Sequence, residues 1–223
     1  MTRNRRRGGP TTRRKRVTPT RAFTTASRPW GLIAASVAVA AFAVAVIGYA
    51  VVQVNRAEAG KVTALEQIPG VRTFEEPADA GHVPTKVEYP QNPPVSGQMD
   101  GDWADCTGTV YDVDIRNENA VHSLEHGAVW ITYDPQRVDE DGVAALRDLV
   151  DGTGGLMLSP RPGLDSPISV QAWRTQLTAE SATDERIAQF ADFMAFNPEN
   201  APEPGAMCQN PAFVSAPRVA DEV

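Results

Sequence analysis

The hydrophobic positions divide the chain into one long apolar run and a set of short patterned segments. Residues 31–52 form a run of 22 residues without a charged side chain. Because roughly 20 apolar residues cross a bilayer as one helix, we expect a transmembrane helix here. Trp30 and Tyr49 lie near its two ends, where amphipathic aromatic side chains favour the headgroup region.

Beyond this run, short patterned segments of both types predict a mixed domain. Apolar or alternating runs predict strands at residues 86–89, 107–115, 128–133, 156–158 and 168–173. Helical spacing predicts amphipathic helices at residues 138–150 and from Thr183, as N-cap, to the stop at Pro198. Strands and helices do not alternate strictly, so the predicted fold class is α+β.

Charge is distributed very unevenly along the chain. Residues 1–28 hold ten of the 21 Lys and Arg and no acid, whereas the remainder holds all 28 Asp and Glu. The positive-inside rule therefore puts the basic arm in the cytoplasm and the acidic domain outside. The arm is rich in Thr, Pro and Gly, so we expect a disordered topology determinant and no nucleic-acid partner.

These patterns predict a single-pass membrane protein with five regions. They are a basic arm (1–29), a transmembrane anchor (30–54), a stalk with a short helix at 57–65 (55–80), an extracytoplasmic α+β domain (81–215) and a tail (216–223). Ala57-Glu58-Ala59 has the form of a signal cleavage site, but the apolar run is longer than a signal core. We therefore expect an uncleaved signal anchor in contact with the lipid bilayer.

The two cysteines, Cys106 and Cys208, both fall in the predicted outer domain. Thiols tend to oxidise outside the cytoplasm, so we expect a disulfide between them. The alternative is that one or both bind a metal ion as thiolates.

Two of the chain's three histidines, His122 and His126, lie in the segment 121–127. Positions i and i+4 share one face of a helical turn, and neutral imidazole is the commonest protein metal ligand. The spacing therefore predicts a metal site, with Glu125 orienting a ring from outside the ligand set or capping the turn. Alternatively, both histidines are structural and hold the Pro-rich loop by hydrogen bonds.

The same residues also match the H-x-x-E-H signature of zinc hydrolases, in which the Glu acts as general base. That signature lies inside a long helix, whereas here Gly127 and a strand-forming run follow the second histidine. A zinc hydrolase is therefore the third hypothesis, and an enzyme is the less favoured class.

A further set of motifs extends over most of the outer domain. It comprises Gly81-His82-Val83, Tyr89, Asn92-Pro93-Pro94-Val95-Ser96-Gly97, Trp103, Gly108, Tyr111, the run from Val121 through Tyr133, Ala172-Trp173 and Ala201-Pro202-Glu203. Together these motifs resemble a bacterial domain-of-unknown-function family, number 3105, over about residues 65–205. The resemblance implies a membrane-anchored or exported bacterial protein without an established activity.

The chain departs from that family's pattern at Met99. The family usually has a histidine two residues after the glycine of the Pro-Pro-x-Ser-Gly motif, where this chain has methionine. A thioether suits Cu(I) and is a poor ligand for zinc. We therefore expect copper, in preference to zinc, on His122, His126 and Met99. The alternative is that Met99 fills a gap in the core.

Two functions follow from these patterns. The first is a membrane-tethered extracytoplasmic copper-binding protein for storage, delivery or protection. The second is a non-catalytic accessory subunit of an envelope membrane complex, with an envelope protein as partner and an architectural histidine loop. The copper hypothesis requires the ligating atoms of Met99, His122 and His126 within about 4 Å of one another, because metal–ligand bonds are near 2 Å. His82 is an outside candidate for a further ligand.

Overall fold

The computed structural model describes residues 30–59 and 61–220. The predicted basic arm and the last three residues of the predicted tail lie outside these ranges. The chain divides into two compact units, Met1–Arg56 and Ala57–Val223.

Helix α1 covers Trp30–Ala59 and lies almost wholly in the first unit. Its stretch Ile33–Ala50 is long and apolar enough to cross a membrane, and none of that stretch is buried. A helix that is apolar all round requires an apolar environment on every side. This helix fits the predicted single-pass membrane anchor, whose bounds at residues 30–54 remain a prediction.

The second unit is built on a six-stranded mixed sheet. Its strands are β1 (Arg72–Thr73), β2 (Thr109–Val110), β3 (Val129–Tyr133), β4 (Leu156–Pro160), β5 (Ile168–Ala172) and β6 (Thr175–Ala179). Their order in the sheet is β1-β6-β5-β3-β4-β2. Strand β4 pairs in parallel with β2 and β3, and the remaining neighbours are antiparallel. The sheet with its helices confirms the predicted α+β class.

Four helices accompany the sheet in the described part of this unit. They are α2 (Asn117–Glu125), α3 (Glu140–Val150), α4 (Glu185–Met194) and α5 (Pro211–Ser215), and a 3₁₀ turn forms at Leu65–Gln67. Helix α3 is the crossover between β3 and β4, because parallel strands cannot be joined by a short hairpin. Asp139 caps α3 by accepting a hydrogen bond from the Gly142 N–H.

Each face of the sheet buries a separate apolar layer. Successive side chains of a strand point to opposite faces of the sheet, and the side chains of β3 alternate between the two clusters in this way. Val129 and Ile131 pack in one cluster with residues of α3 and α4, whereas Trp130 packs in the other with residues of α2. The histidine-bearing helix α2 therefore lies on the face opposite α3 and α4.

Three predicted strands and both predicted amphipathic helices of the domain are confirmed. The runs at 128–133, 156–158 and 168–173 form β3, β4 and β5, and the predicted helices form α3 and α4. The Thr183 N-cap is wrong, because Asp184 is the residue whose side chain accepts from a helical N–H, that of Arg186. Only Thr109–Val110 is regular within the strand predicted at 107–115.

Two predicted elements are wrong. Residues 86–89 form no strand, and the Val87 N–H donates to the Glu118 carboxylate (2.7 Å) instead of to a neighbouring strand. The short helix at 57–65 is also absent, because α1 ends at Ala59 and only the 3₁₀ turn follows in residues 61–70. In both segments alternating or helical spacing extends over too few residues to determine structure without tertiary partners.

Three short elements carry no pattern that predicts them, and the His122–His126 spacing predicts only a helical turn where the nine-residue α2 forms. Strand β6 has the mixed sequence TQLTA, which carries little apolar alternation, and it is fixed by pairing with β5 through a two-residue turn. Helix α5 has five residues, and strand β1 has two. Strand β1 and the buried Ile68 come from the segment predicted as a stalk, so the second unit begins before residue 81.

Candidate metal centre

Helix α2 presents its histidines at its C-terminal end. His122 lies in the last turn, and His126 is the C-cap residue. Gly127 then adopts φ +89°, and a Cβ atom there would lie 3.2 Å from Cα of Phe196. A left-handed backbone in a crowded position requires glycine. Gly127 therefore ends the helix and turns the chain directly into β3.

All three histidines of the chain meet at this end of α2. The ring centroids of His122 and His126 are 4.5 Å apart, and those of His82 and His122 are 4.8 Å apart. The chain contains no other histidine. His82 comes from an irregular segment forty residues earlier than His122, so tertiary packing and not sequence spacing brings it to the cluster.

Three potential ligand atoms are close enough to share one ion. They belong to His82, His122 and Glu125, and they lie within 4.8 Å of one another. His82 is exposed, Glu125 is half-buried and His122 is buried. Imidazole nitrogen and carboxylate oxygen are ligands of Zn²⁺, Cu²⁺, Fe²⁺ and Ni²⁺. The His–His–Glu group could therefore hold a metal ion.

Backbone carbonyls determine which nitrogen of each α2 histidine is free. Nδ1 of His122 lies 2.8 Å from the Asp100 carbonyl oxygen, and Nδ1 of His126 lies 3.0 Å from that of Met207. A carbonyl only accepts, so Nδ1–H donates in both rings and Nε2 keeps its lone pair. Metal-binding histidines commonly donate their other ring N–H in this way, which fixes the ring orientation.

The environment of the cluster keeps the two α2 imidazoles neutral. Burial, followed by the neighbouring His126, lowers the pKa of His122 below its ordinary value, although the hydrogen bond to Asp100 acts in the opposite direction. Burial also lowers the pKa of His126. Burial and then the Glu203 carboxylate raise the pKa of Glu125. A cation at this position would relieve the repulsion between the two carboxylates.

An ionic network fixes the backbone that orients His122. The Asp100 carboxylate accepts hydrogen bonds from Arg116 (2.7 Å) and Arg218 (2.9 Å). The Arg116 guanidinium also lies 2.9 Å from the Glu118 carboxylate, and the side chains of both residues are almost fully buried. Breaking a buried pair leaves an uncompensated charge, so the Asp100 carbonyl is held in place.

Residues 203–208, here called the strap, cross the end of α2. The Glu203 N–H donates to the Glu125 carbonyl, and the Gly205 N–H donates to the His126 carbonyl, each at 3.0 Å. The Met207 carbonyl completes the set through Nδ1 of His126. The strap ends at Cys208, which forms the predicted disulfide with Cys106. The disulfide prediction is therefore confirmed, and thiolate ligation is excluded for the oxidised protein.

Residues 82–210 match the sequence model of a family described as "Protein of unknown function (DUF3105)". The chain belongs to the DUF3105 family. No curated protein and no solved structure matches the chain. The DUF3105 region contains all three histidines, Glu125 and both cysteines, so the whole cluster lies within the part that the family shares.

In the DUF3105 region, the residues that the structure brings together differ from the ligand set predicted from the sequence. Glu125, expected outside the ligand set, contributes one of the three grouped ligand atoms. His82, an outside candidate from its place in the Gly81-His82-Val83 motif, enters the group. His126 lies beside the group through its ring contact with His122. Met99 is fully buried in the apolar cluster of α2, and its backbone pairs with that of His82. The ligand set containing Met99 stays a prediction.

The hydrolase signature does not have its usual setting in this DUF3105 domain. Helix α2 has nine residues and ends before His126, whereas the signature occupies the interior of a long helix. The Glu125 carboxylate is grouped with His82 and His122, where a general base would have to stand apart from the metal ligands.

Proposed function

We propose that this protein is a membrane-tethered metal-binding protein whose outer domain binds copper at the end of α2. The proposal is carried by the grouping of His82, His122 and Glu125, whose potential ligand atoms lie within 4.8 Å of one another, with His126 in ring contact with His122. Three rare side chains rarely cluster without a shared role. The preset Nε2 lone pair of His122 supplies the geometry that a ligand requires.

Copper is favoured by the chemistry of the available groups. Affinity of nitrogen and oxygen ligands for divalent first-row ions is highest for Cu²⁺. The group His82, His122 and Glu125 therefore favours Cu²⁺, with zinc as its main competitor. The set His122, His126 and Met99 would instead favour Cu(I), because a thioether is soft. The two ligand sets thus differ in the oxidation state that they prefer.

The topology forms part of the same proposal. The basic arm favours a cytoplasmic N-terminus, and the Cys106–Cys208 disulfide favours an oxidising compartment for the domain. A reporter fused after Val223 that is active only outside the cytoplasm should be active, and the same reporter at the N-terminus should be silent. The opposite pattern would invert the proposed orientation.

The test uses the full chain in detergent, without a histidine tag, and measures Cu²⁺ and Cu(I) separately by competition with chromophoric chelators. We expect one ion per chain, and His122→Ala should weaken binding by more than about 100-fold, since even partners outside the ligand set contribute 10–100-fold. Glu125→Gln should weaken Cu²⁺ binding, and Met99→Leu should leave it unchanged. Glu185→Gln, an exposed Glu→Gln exchange on α4, is the matched control.

A second function is supported by the ring hydrogen bonds. His122 and His126 each hold a backbone carbonyl, from Asp100 and Met207 respectively, which an architectural loop of an accessory subunit would also require. In that case the wild-type chain binds neither copper ion stoichiometrically, and His126→Ala lowers its thermal stability and its capture of an envelope protein partner. Stoichiometric copper binding with unchanged partner capture would exclude this function.

A further inference from the structure

We infer that the Cys106–Cys208 disulfide regulates the metal centre, so that its reduction weakens metal binding. The inference rests on the proposed function, because it concerns the affinity of the same site. Its basis is the strap, which joins the disulfide to both Glu125 and His126 through a short run of chain.

The strap makes three of the contacts that define the end of α2. Its N–H groups at Glu203 and Gly205 donate to the carbonyls of Glu125 and His126, and its Met207 carbonyl accepts from His126. The last carbonyls of a helix have no partner within the helix. The strap therefore supplies hydrogen-bond donors for the backbone carbonyls of Glu125 and His126.

The disulfide fixes the C-terminal end of the strap one residue beyond Met207. The Cα atoms of Cys106 and Cys208 are 4.8 Å apart, and the Cys208 carbonyl accepts from the Cys106 N–H (3.1 Å) and from the Trp103 indole N–H (3.3 Å). Trp103 in turn packs against His122 and His126, with ring centroids 5.6 and 5.4 Å away. The disulfide thus fixes both the strap and Trp103, which contact the histidine pair independently.

Reduction removes the covalent part of this arrangement. The S–S bond accepts two electrons and two protons and becomes two thiols, while a dithiol reductant loses the same electrons and protons and becomes a disulfide. The strap then keeps only its hydrogen bonds. By linkage, a metal ion that binds the bridged form more tightly also disfavours reduction by the same factor.

The test compares Cu²⁺ affinity of the full chain in detergent for four proteins that contain no free thiol. They are the wild type, Cys106→Ser/Cys208→Ser, Gly205→Ala and Gly163→Ala. Gly205 and Gly163 are matched, because both have left-handed backbones (φ +81° and +77°) and open space for a Cβ atom. Only Gly205 donates to His126.

We expect the double serine variant to bind Cu²⁺ about 10- to 100-fold more weakly than the wild type, the range found when partners outside a ligand set are lost. Gly205→Ala should weaken binding in the same direction, and Gly163→Ala should not. Wild-type affinity in the folded double serine variant would overturn the inference, whatever the affinity of Gly205→Ala.

Circular dichroism distinguishes loss of affinity from loss of fold. If the double serine variant does not fold, Gly205→Ala decides, since it perturbs the strap and keeps the bridge. A wild-type chain that binds no copper would refute the proposed function itself and the inference with it. Binding by the wild type with equal affinity in the folded variants would refute the inference alone.

Discussion

Asp105 joins the two chain segments that the Cys106–Cys208 disulfide also links. Its carboxylate accepts hydrogen bonds from the side chains of Thr107 (2.6 Å) and Thr109 (2.5 Å) and from the Asn210 N–H (2.6 Å). Burial acts to raise the pKa of Asp105, but these hydrogen bonds outweigh it and lower the pKa. The ionised form is therefore the stabilising one.

Asp105→Asn should lower the free energy of unfolding at neutral pH by about 1–3 kcal/mol, because buried donors lose a charged acceptor. A depressed folded pKa contributes stability above the unfolded value of about 3.9. That contribution disappears as the pH falls through the folded pKa. Urea unfolding of both proteins at pH 7 and in acid should therefore show a difference that shrinks on acidification. A constant difference would contradict this account.

His122 and His126 should titrate below the ordinary histidine value of about 6.5, because burial lowers both pKa values. As the pH falls, the histidines of the unfolded chain bind protons before those of the folded chain. The free energy of unfolding therefore decreases below about pH 6.5, and the contribution of the neutral histidines is lost as the pH falls through their folded pKa values. Proton NMR of the metal-free chain measures the midpoints directly, since only three histidines contribute signals. Midpoints above 6.5 would show that the rings are stabilised as cations.

At the scale of elements, the junction between α2 and β3 positions the side chains of the candidate metal centre. A Cβ atom at Gly127 would be in tight contact with backbone, 3.2 Å from Cα of Phe196 and 3.4 Å from Cα of Pro204. The Phe196 N–H also donates to the Gly127 carbonyl. The segment that follows α4 is therefore packed directly against the end of α2.

Gly127→Ala should destabilise the domain more than Gly152→Ala does. Both glycines have a left-handed backbone (φ +89° and +69°), which costs a residue with a Cβ atom about 1–3 kcal/mol. Only Gly127 adds a tight backbone contact that requires Phe196 to shift, because Gly152 has open space. Thermal unfolding of the two variants measures the difference. Equal melting temperatures would mean that the segment after α4 moves away at little cost.

Sequence could predict those elements whose patterns are long and internally consistent. The run that forms β3 is apolar throughout, and α3 has a helical apolar face with an acidic first turn, so local signals suffice. Strand β6 could not be predicted because its sequence TQLTA carries little apolar alternation, although its partner β5 is adjacent in sequence. The position of His82 could not be predicted because it depends on α2, which is remote in sequence. His122 and His126 were found from their spacing, whereas the grouping of Glu125 with His82 is a tertiary result.

At the scale of the whole molecule, the two units differ in how much apolar surface they expose. Among the described residues, every exposed large apolar side chain except Met207 and Val214 belongs to α1. The second unit has two apolar clusters and the disulfide within it. A unit of this kind has the core that an independently folding domain requires.

A chain beginning at residue 61 should therefore be soluble and folded without detergent, whereas the full chain should require it. Gel filtration and circular dichroism provide the measurement, and the full chain in detergent is the control for secondary structure. Aggregation of the shortened chain under oxidising conditions would contradict independent folding of the second unit.

The sequence separation of the bridge has a consequence for biogenesis. Cys106 and Cys208 are 102 positions apart, so the ribosome releases His82, His122 and Glu125 well before the second cysteine exists. During synthesis these three side chains belong to a domain whose closing segment is still missing. A nascent chain therefore completes the candidate metal centre only late in maturation, after Cys208 has been synthesised and an oxidant has formed the disulfide.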